Sequence, residues 1–190
     1  MNKSKSSIIT VTDLKTYFYE GLSELNKKSL CPIPEETIFY SSSVLEKYTL
    51  SSEFFEKSEG KIRNKILGFN FLKASHDTKE EQVKIYKDIG DTALVLSGFF
   101  SESTKGSLVD EKYYIKIGQL AYKKMYHLER TFFDIPHFYK MMATCFENAT
   151  YIIKHFSMQN KEEYLESLLI SNDEKELLAG GILPPEKKVS

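Results

Sequence analysis

Apolar residues recur every three or four positions along most of the chain, the spacing of an α-helix that buries one face. The pattern is clearest in the second half, where it runs unbroken through Phe138, Met141, Cys145, Ala149, Ile152 and Phe156. Similar stripes predict further helices over about 10–28, 34–48, 60–75, 78–98, 110–128 and 160–170. No pair of strands with a convincing hairpin signal is visible. The sequence therefore predicts an all-α fold, a bundle of six or seven helices.

Local signals place the ends of these helices and of the domain. Asp110 is a good N-cap for the fifth helix, and Pro34 presets the first turn of the second. In the third helix the stripe places Ile62, Ile66, Phe69 and Leu72 on one side. Gly180-Gly181 stops the last periodic segment. We predict one helical domain over 10–180, with flexible termini at 1–9 and 181–190.

Charge narrows the possible partners. The chain has 190 residues, with 26 basic and 27 acidic side chains, and only Arg63 and Arg130 are arginine. Nucleic-acid binders present a basic surface on which arginine recognises phosphates and guanine edges, so we predict no nucleic-acid partner. No stretch approaches the ~20 apolar residues that span a bilayer, and we predict no membrane span.

The cysteines and the first residues indicate the compartment. Cys31 and Cys145 are too few for a disulfide framework. The apolar run at Ile8-Ile9 ends at once, far short of the core of a signal peptide. We therefore expect a cytoplasmic protein with reduced thiols.

Motifs for catalysis or metal binding are missing from the sequence. None of the four histidines follows a glutamate by three positions, and there is no Cys-x-x-Cys. The best available metal ligands would be His127, Glu129 and His137, and we predict no metal and no other cofactor. A Gly-x-Ser-x-Gly nucleophile motif is absent too, so we predict no catalytic residue.

The most distinctive segment surrounds Asp91. Gly90 costs about 1 kcal/mol relative to alanine inside a helix, which predicts the close approach of a neighbouring helix. Asp91 lies on nearly the same helical face as Leu94, and a buried carboxylate needs donors. Candidate donors follow on the next helix, at Tyr113, Tyr114 and Tyr122. This cluster is either a helix-pairing motif or the floor and walls of a small-ligand pocket. We favour the helix-pairing interpretation.

The same region carries a family resemblance. Residues 80–125 contain, in order, Gly90-Asp91, Leu94, Ser97-Gly98-Phe99-Phe100, Val109-Asp110, Tyr113-Tyr114, Gly118 and Ala121-Tyr122. With this pattern the chain resembles a family of uncharacterised helical bacterial proteins of about this length. The resemblance implies a helical bacterial protein and brings no activity. The family's usual Phe-Phe-Pro reads Phe99-Phe100-Ser101 here, which implies a less rigid loop.

Two functions remain open. Aromatic residues make up 13% of the chain, and aromatic side chains are enriched at protein interfaces. Either one member of each pair, Phe54-Phe55 and Phe132-Phe133, is an exposed anchor for a partner, or both members pack under the bundle. The favoured hypothesis is a non-enzymatic interaction module, an adaptor or regulator that binds another protein or itself as a homodimer. The alternative is a small-ligand-binding or enzymatic protein whose pocket surrounds Asp91, Tyr113 and Tyr114.

Overall fold

Six α-helices make up most of the part of the chain that the structure, a computed structural model, describes, which is residues 11–58, 61–101, 109–129, 131–132 and 134–159. They are α1 (Val11–Lys28), α2 (Glu35–Lys47), α3 (Leu67–Ala74), α4 (Lys79–Gly98), α5 (Glu111–Leu128) and α6 (Phe138–Gln159). The all-α fold class is thus confirmed. The predicted helix over 160–170 and both predicted flexible ends lie outside the described residues. None of the described helices is long and apolar enough to cross a membrane.

Local capping fixes where the central helices begin. The Thr78 hydroxyl accepts a hydrogen bond from the Glu81 backbone N–H, and the Glu81 carboxylate accepts one from the Thr78 N–H at 3.3 Å. Ahead of α5, the Asp110 carboxylate accepts a hydrogen bond from the Tyr113 N–H at 2.9 Å. Such caps satisfy N–H groups that have no partner within the helix. The predicted starts of both helices are confirmed.

The prediction for residues 60–75 was wrong in its first half. Strands β1 (Phe55–Ser58) and β2 (Lys61–Asn64) form an antiparallel pair, with Phe55 opposite Asn64. α3 therefore begins only at Leu67. Pairing between β1 and β2 satisfies the backbone N–H and C=O groups that a helix over the same residues would have satisfied.

The side on which the sequence places Ile66, Phe69 and Leu72 does not face the core. Ile66, Phe69 and Leu72 are 64%, 62% and 72% exposed. The face of α3 that packs inward instead carries Leu67 and Phe71, whose ring lies 5.1 Å from that of Tyr86. In so short a helix several apolar faces compete, and packing on α4 decides between them.

A second short pair of strands joins α5 to α6. β3 (Thr131–Phe132) pairs with β4 (Ile135–Pro136), and Phe132 lies opposite Ile135. Asp134 and His137 adopt left-handed backbone conformations, with φ of 62° and 58°. Both residue types visit this region more readily than most others. The chain thus forms a hairpin although the sequence shows no convincing hairpin signal, and this hairpin forms one wall of a cavity.

The core forms where α4, α5 and α6 approach one another closely. Its largest fully buried side chains include Phe18, Tyr86, Leu94, Tyr122, Met142 and Phe146. Gly90 of α4 lies against the ring of Tyr122 of α5. The close helix approach that the sequence predicted at Gly90 is confirmed.

Gly90→Ala tests that close approach. A Cβ at this position would lie 2.7 to 3.0 Å from three atoms of the Tyr122 ring. Overpacking of this kind costs about 1–3 kcal/mol, and the gain in helix propensity of about 1 kcal/mol offsets part of it. We expect a net loss of about 1 kcal/mol in the free energy of unfolding, measured by urea denaturation. A gain in stability would contradict the packing described.

Candidate functional site: a buried carboxylate beside a cavity

Asp91 is a buried carboxylate with three donors. It lies in the middle of α4 and is 1% exposed. Its Oδ1 accepts hydrogen bonds from the hydroxyl groups of Tyr40, at 2.7 Å, and Tyr122, at 2.8 Å. Its Oδ2 accepts one from Lys87 Nζ at 2.6 Å. Because these donors come from α2, α5 and α4, one carboxylate holds three helices together.

Aromatic rings fix the position of Tyr40. The ring of Phe132 is 5.4 Å away and that of Phe138 is 5.0 Å away, both edge-on. Phe132 in turn stacks on Phe138 at 4.8 Å. Edge-on and offset contacts of this kind stabilise aromatic pairs beyond their area of burial. The hydroxyl of Tyr40 is thereby held on Asp91, and the β3–β4 hairpin is held on α2.

A second set of polar contacts lies next to the first on α4, at Asp88 and Thr92. The Tyr48 hydroxyl lies 2.7 Å from Thr92 Oγ1 and donates to Asp88 Oδ1 at 3.3 Å. Lys65 Nζ donates to the same Asp88 oxygen at 2.7 Å. α2 is therefore joined to α4 by two tyrosine hydroxyls, those of Tyr40 and Tyr48.

These tyrosines are held in their protonated form. Burial, followed by the negative charge of Asp91, raises the pKa of Tyr40 and of Tyr122 well above the usual value. Burial also raises the pKa of Tyr48 and of Tyr139. The hydroxyls around Asp91 are thus hydrogen-bond donors at neutral pH, and none of them is poised to act as a base.

The raised pKa values predict a loss of stability in alkali. Tyrosine ionises near pH 10 in the unfolded chain, so above about pH 10 the folded protein binds more protons than the unfolded chain. The stabilisation is complete below that pH and falls above it, by about 1.4 kcal/mol per pH unit for each such tyrosine. Urea unfolding between neutral and alkaline pH measures this slope. Tyr122→Phe should make it shallower, and an unchanged slope would contradict the assignment.

A cavity opens beside this network. It has a volume of about 770 Å³ and lies between α1, α2, α4, the start of α6 and the β3–β4 hairpin. Its apolar walls are formed by Phe39, Tyr40, Val44, Phe132, Ile135 and Phe138. Lys87 and Asp91 line it as well. Its size and its mainly apolar walls, with a few fixed polar groups, are those of small-molecule sites.

Only one of the three tyrosines predicted near Asp91 lies there. Tyr122 donates to it. Tyr113 and Tyr114 lie at least two turns earlier in α5, about 12 Å or more from Tyr122 along the helix axis. The hydroxyl of Tyr113 instead lies against Gly68 of α3, and its ring contacts that of Tyr114 at 5.4 Å. The prediction that placed Tyr113 and Tyr114 in the pocket was therefore wrong, because more than two turns of α5 separate them from Tyr122, the tyrosine that reaches the carboxylate.

Two residues of the network were not predicted. Lys87 lies one turn before Asp91, and the i, i+4 spacing of a lysine and an aspartate was a signal that could have revealed the pair. Tyr40 is 51 positions away in the sequence. No local pattern connects it to Asp91.

Of the four phenylalanines predicted as partner anchors, Phe54 and Phe132 pack against other aromatic rings. Phe54 is half-buried between the rings of Tyr48, at 5.2 Å, and Phe100, at 5.5 Å. Phe132 is half-buried in the cavity wall. Phe55 begins β1, and Phe133 lies outside the described residues. Phe54 and Phe132 thus contribute to internal packing.

The other candidate chemical groups are dispersed. His127 and His137 each contact the ring of Tyr126, with ring centres 5.6 Å apart. Among the residues that the structure describes, no group of three or more metal-ligating side chains is close enough to hold an ion. Cys31 is exposed and Cys145 half-buried, both as free thiols, and burial raises the pKa of Cys145.

Comparison with known proteins gives no functional guide. No family model, no curated protein and no solved structure matches this chain. The resemblance of residues 80–125 to a family of helical bacterial proteins therefore stays a prediction. A functional conclusion rests on the geometry of the Asp91 network and of the cavity beside it.

Proposed function

We propose that the protein binds a small organic molecule in the cavity beside Asp91. The observation that supports this most is the combination of an open, aromatic-walled space of about 770 Å³ with a fixed lysine–carboxylate pair among its lining residues. Small-molecule sites combine apolar walls with a few fixed polar groups in this way. The two free cysteines agree with a reducing compartment such as the cytoplasm.

If the Asp91 network served only to pair helices, the two tyrosines would be needed, but the position of Lys87 would not be explained. The hydroxyls of Tyr40 and Tyr122 already satisfy one oxygen of the buried carboxylate and join α2, α4 and α5. Lys87, by contrast, keeps 35% of its side chain exposed and lines the cavity. Its ammonium group therefore reaches a position where a bound molecule could contact it.

A fluorescence titration tests the proposal. The neutral fluorophore N-phenylnaphthylamine brightens when it enters an apolar site, and we expect one molecule to bind per chain. Ser43→Trp would fill the cavity, because Ser43 lines it on α2, and should abolish the signal. Thr16→Trp is the matched control, since Thr16 is exposed on α1 and does not line the cavity. Equal binding to both variants would overturn the proposal.

A second candidate function is supported by the exposed face of α3. Ile66, Phe69 and Leu72 are each more than 60% exposed, and clustered exposed apolar side chains often mark an interface. An interaction module, an adaptor or regulator that binds another protein or a second copy of itself, would use such a face. Analytical ultracentrifugation of the wild type and of Phe69→Ser tests the homodimer. A monomer in both cases would contradict it.

A further inference from the structure

Three carboxylates line the cavity, and the buried one, that of Asp91, is already engaged. Asp91 accepts three hydrogen bonds, from Tyr40, Tyr122 and Lys87. Glu35, at the start of α2, accepts a hydrogen bond from the Tyr19 hydroxyl. The third carboxylate, that of Glu36, belongs to an exposed residue in the first turn of α2. The inner part of the cavity therefore has little capacity left to accept hydrogen bonds from a ligand.

The lysines retain donors. An ammonium group has three N–H donors, and Lys87 uses one of them on Asp91 at 2.6 Å. Its Nζ also lies 5.1 Å from the centre of the Tyr40 ring, so it stands between the carboxylate and the aromatic wall. Lys15 Nζ lies 4.0 Å from the centre of the Phe39 ring. Lys47 is paired with Glu53 at 2.9 Å.

The lysines and carboxylates that line the cavity favour one sign of charge on a ligand. At the buried inner wall Lys87 keeps two N–H donors, whereas Asp91 already accepts three hydrogen bonds. A ligand that reaches this wall therefore gains most by bringing an acceptor. A cation would meet Lys15 and Lys87 over the rings that it would need for a cation–π contact. A dianion would need a second cation, and of the other lysines that line the cavity Lys47 is paired with Glu53 while Lys15 lies over the Phe39 ring. A single negative charge next to an apolar body fits best.

We propose that the molecule bound beside Asp91 is an apolar monocarboxylate. Its carboxylate accepts hydrogen bonds from Lys87, and its hydrocarbon or aromatic body packs on Phe132 and Phe138. Asp91 acts as a positioning residue that holds the Lys87 ammonium at the cavity wall. This inference rests on the proposed ligand-binding function and adds to it the chemical class of the ligand.

Three probes that differ only in their charged group test the inference. Phenylbutyrate, phenylbutanol and phenylbutylamine share one apolar body and are anionic, neutral and cationic at neutral pH. Isothermal titration calorimetry of the full chain should show phenylbutyrate binding about tenfold more tightly than phenylbutanol, because a charge-assisted hydrogen bond adds to the same apolar contact. Phenylbutylamine should bind most weakly.

Two variants assign the preference to Lys87. In Lys87→Gln the roughly tenfold preference for phenylbutyrate over phenylbutanol should disappear. Lys84→Gln, an exposed position one turn earlier on α4, should change neither affinity. If Lys87→Gln does not fold, the wild-type comparison still decides the sign of the charge.

The outcomes separate this inference from the proposal on which it rests. Equal affinities of the wild type for phenylbutyrate and phenylbutanol would overturn the monocarboxylate and leave ligand binding intact. A preference for phenylbutyrate that persists in Lys87→Gln would overturn the role of Lys87. Failure of all three probes and of N-phenylnaphthylamine to bind would overturn both proposals.

Discussion

Replacement of Asp91 by alanine should lower the free energy of unfolding by about 3–5 kcal/mol, because removing one partner of a buried charged network leaves the others unsatisfied. The hydroxyls of Tyr40 and Tyr122 would lose their acceptor in a region where neither residue is more than 5% exposed. Lys87 would lose its ion pair, which matters less because its side chain is partly solvated. Urea denaturation monitored by circular dichroism measures the change.

Conservative variants separate the contributions of shape and charge. Asp91→Asn keeps the shape and an acceptor for the tyrosines but removes the charge that faces Lys87, so its effect should be intermediate. Combining Asp91→Ala with Tyr122→Phe should cost less than the sum of the single changes, because both remove the same hydrogen bond. If Asp91→Ala changed stability by less than about 0.5 kcal/mol, as at an ordinary surface position, the network would not hold the helices together.

Gly118→Ala should have the second-largest effect. A Cβ at this position of α5 would lie 2.1 Å from Cζ of the Phe146 ring, and Phe146 is completely buried. The ring has no solvent-filled space to enter, so α5 and α6 must separate. We expect a net loss of about 2 kcal/mol after the gain in helix propensity is counted.

A double-mutant cycle shows whether the ring is the cause. Phe146→Leu shortens the side chain that faces Gly118, so Gly118→Ala should cost much less in the Phe146→Leu background than in the wild type. Thermal unfolding of the four proteins gives the coupling. An equal cost in both backgrounds would contradict the close approach of α5 and α6 at this point.

The helices could be predicted wherever their signals are local. The start of α4 is set by Thr78 and Glu81, three positions apart, and the start of α5 by Asp110. α6 shows an unbroken apolar stripe that needs no knowledge of its neighbours. In each of these cases the residues that decide the structure lie within one or two turns of each other, so the sequence alone contains the information.

The hairpins and the orientation of α3 could not be predicted, because their stabilising contacts lie elsewhere in the fold. The strands β1 and β2 have only four residues each, too few for a clear alternation of apolar and polar positions. The spacing of Ile66, Phe69 and Leu72 is helical, yet α4 accepts another face of the helix. Periodicity identifies an amphipathic segment and does not say which apolar side a neighbour will cover.

In the candidate site, too, only some of the residues could be predicted from nearby sequence. Asp91 and Tyr122 could be singled out because a carboxylate beside a helical glycine requires a donor on a neighbouring helix. Tyr40 could not be, since only the packing of α2 on α4 brings its hydroxyl to the carboxylate. The cavity could be predicted even less, because its walls come from four helices and from a hairpin that the sequence does not signal.

Ligand binding beside Asp91 is tested most directly by nuclear magnetic resonance on protein with labelled phenylalanine and tyrosine rings. With N-phenylnaphthylamine added, we predict intermolecular nuclear Overhauser effects from the fluorophore to the rings of Tyr40, Phe132 and Phe138, which line the cavity. Ser43→Trp should remove them. Contacts confined to exposed rings such as Phe69, or no contacts at all, would contradict the account.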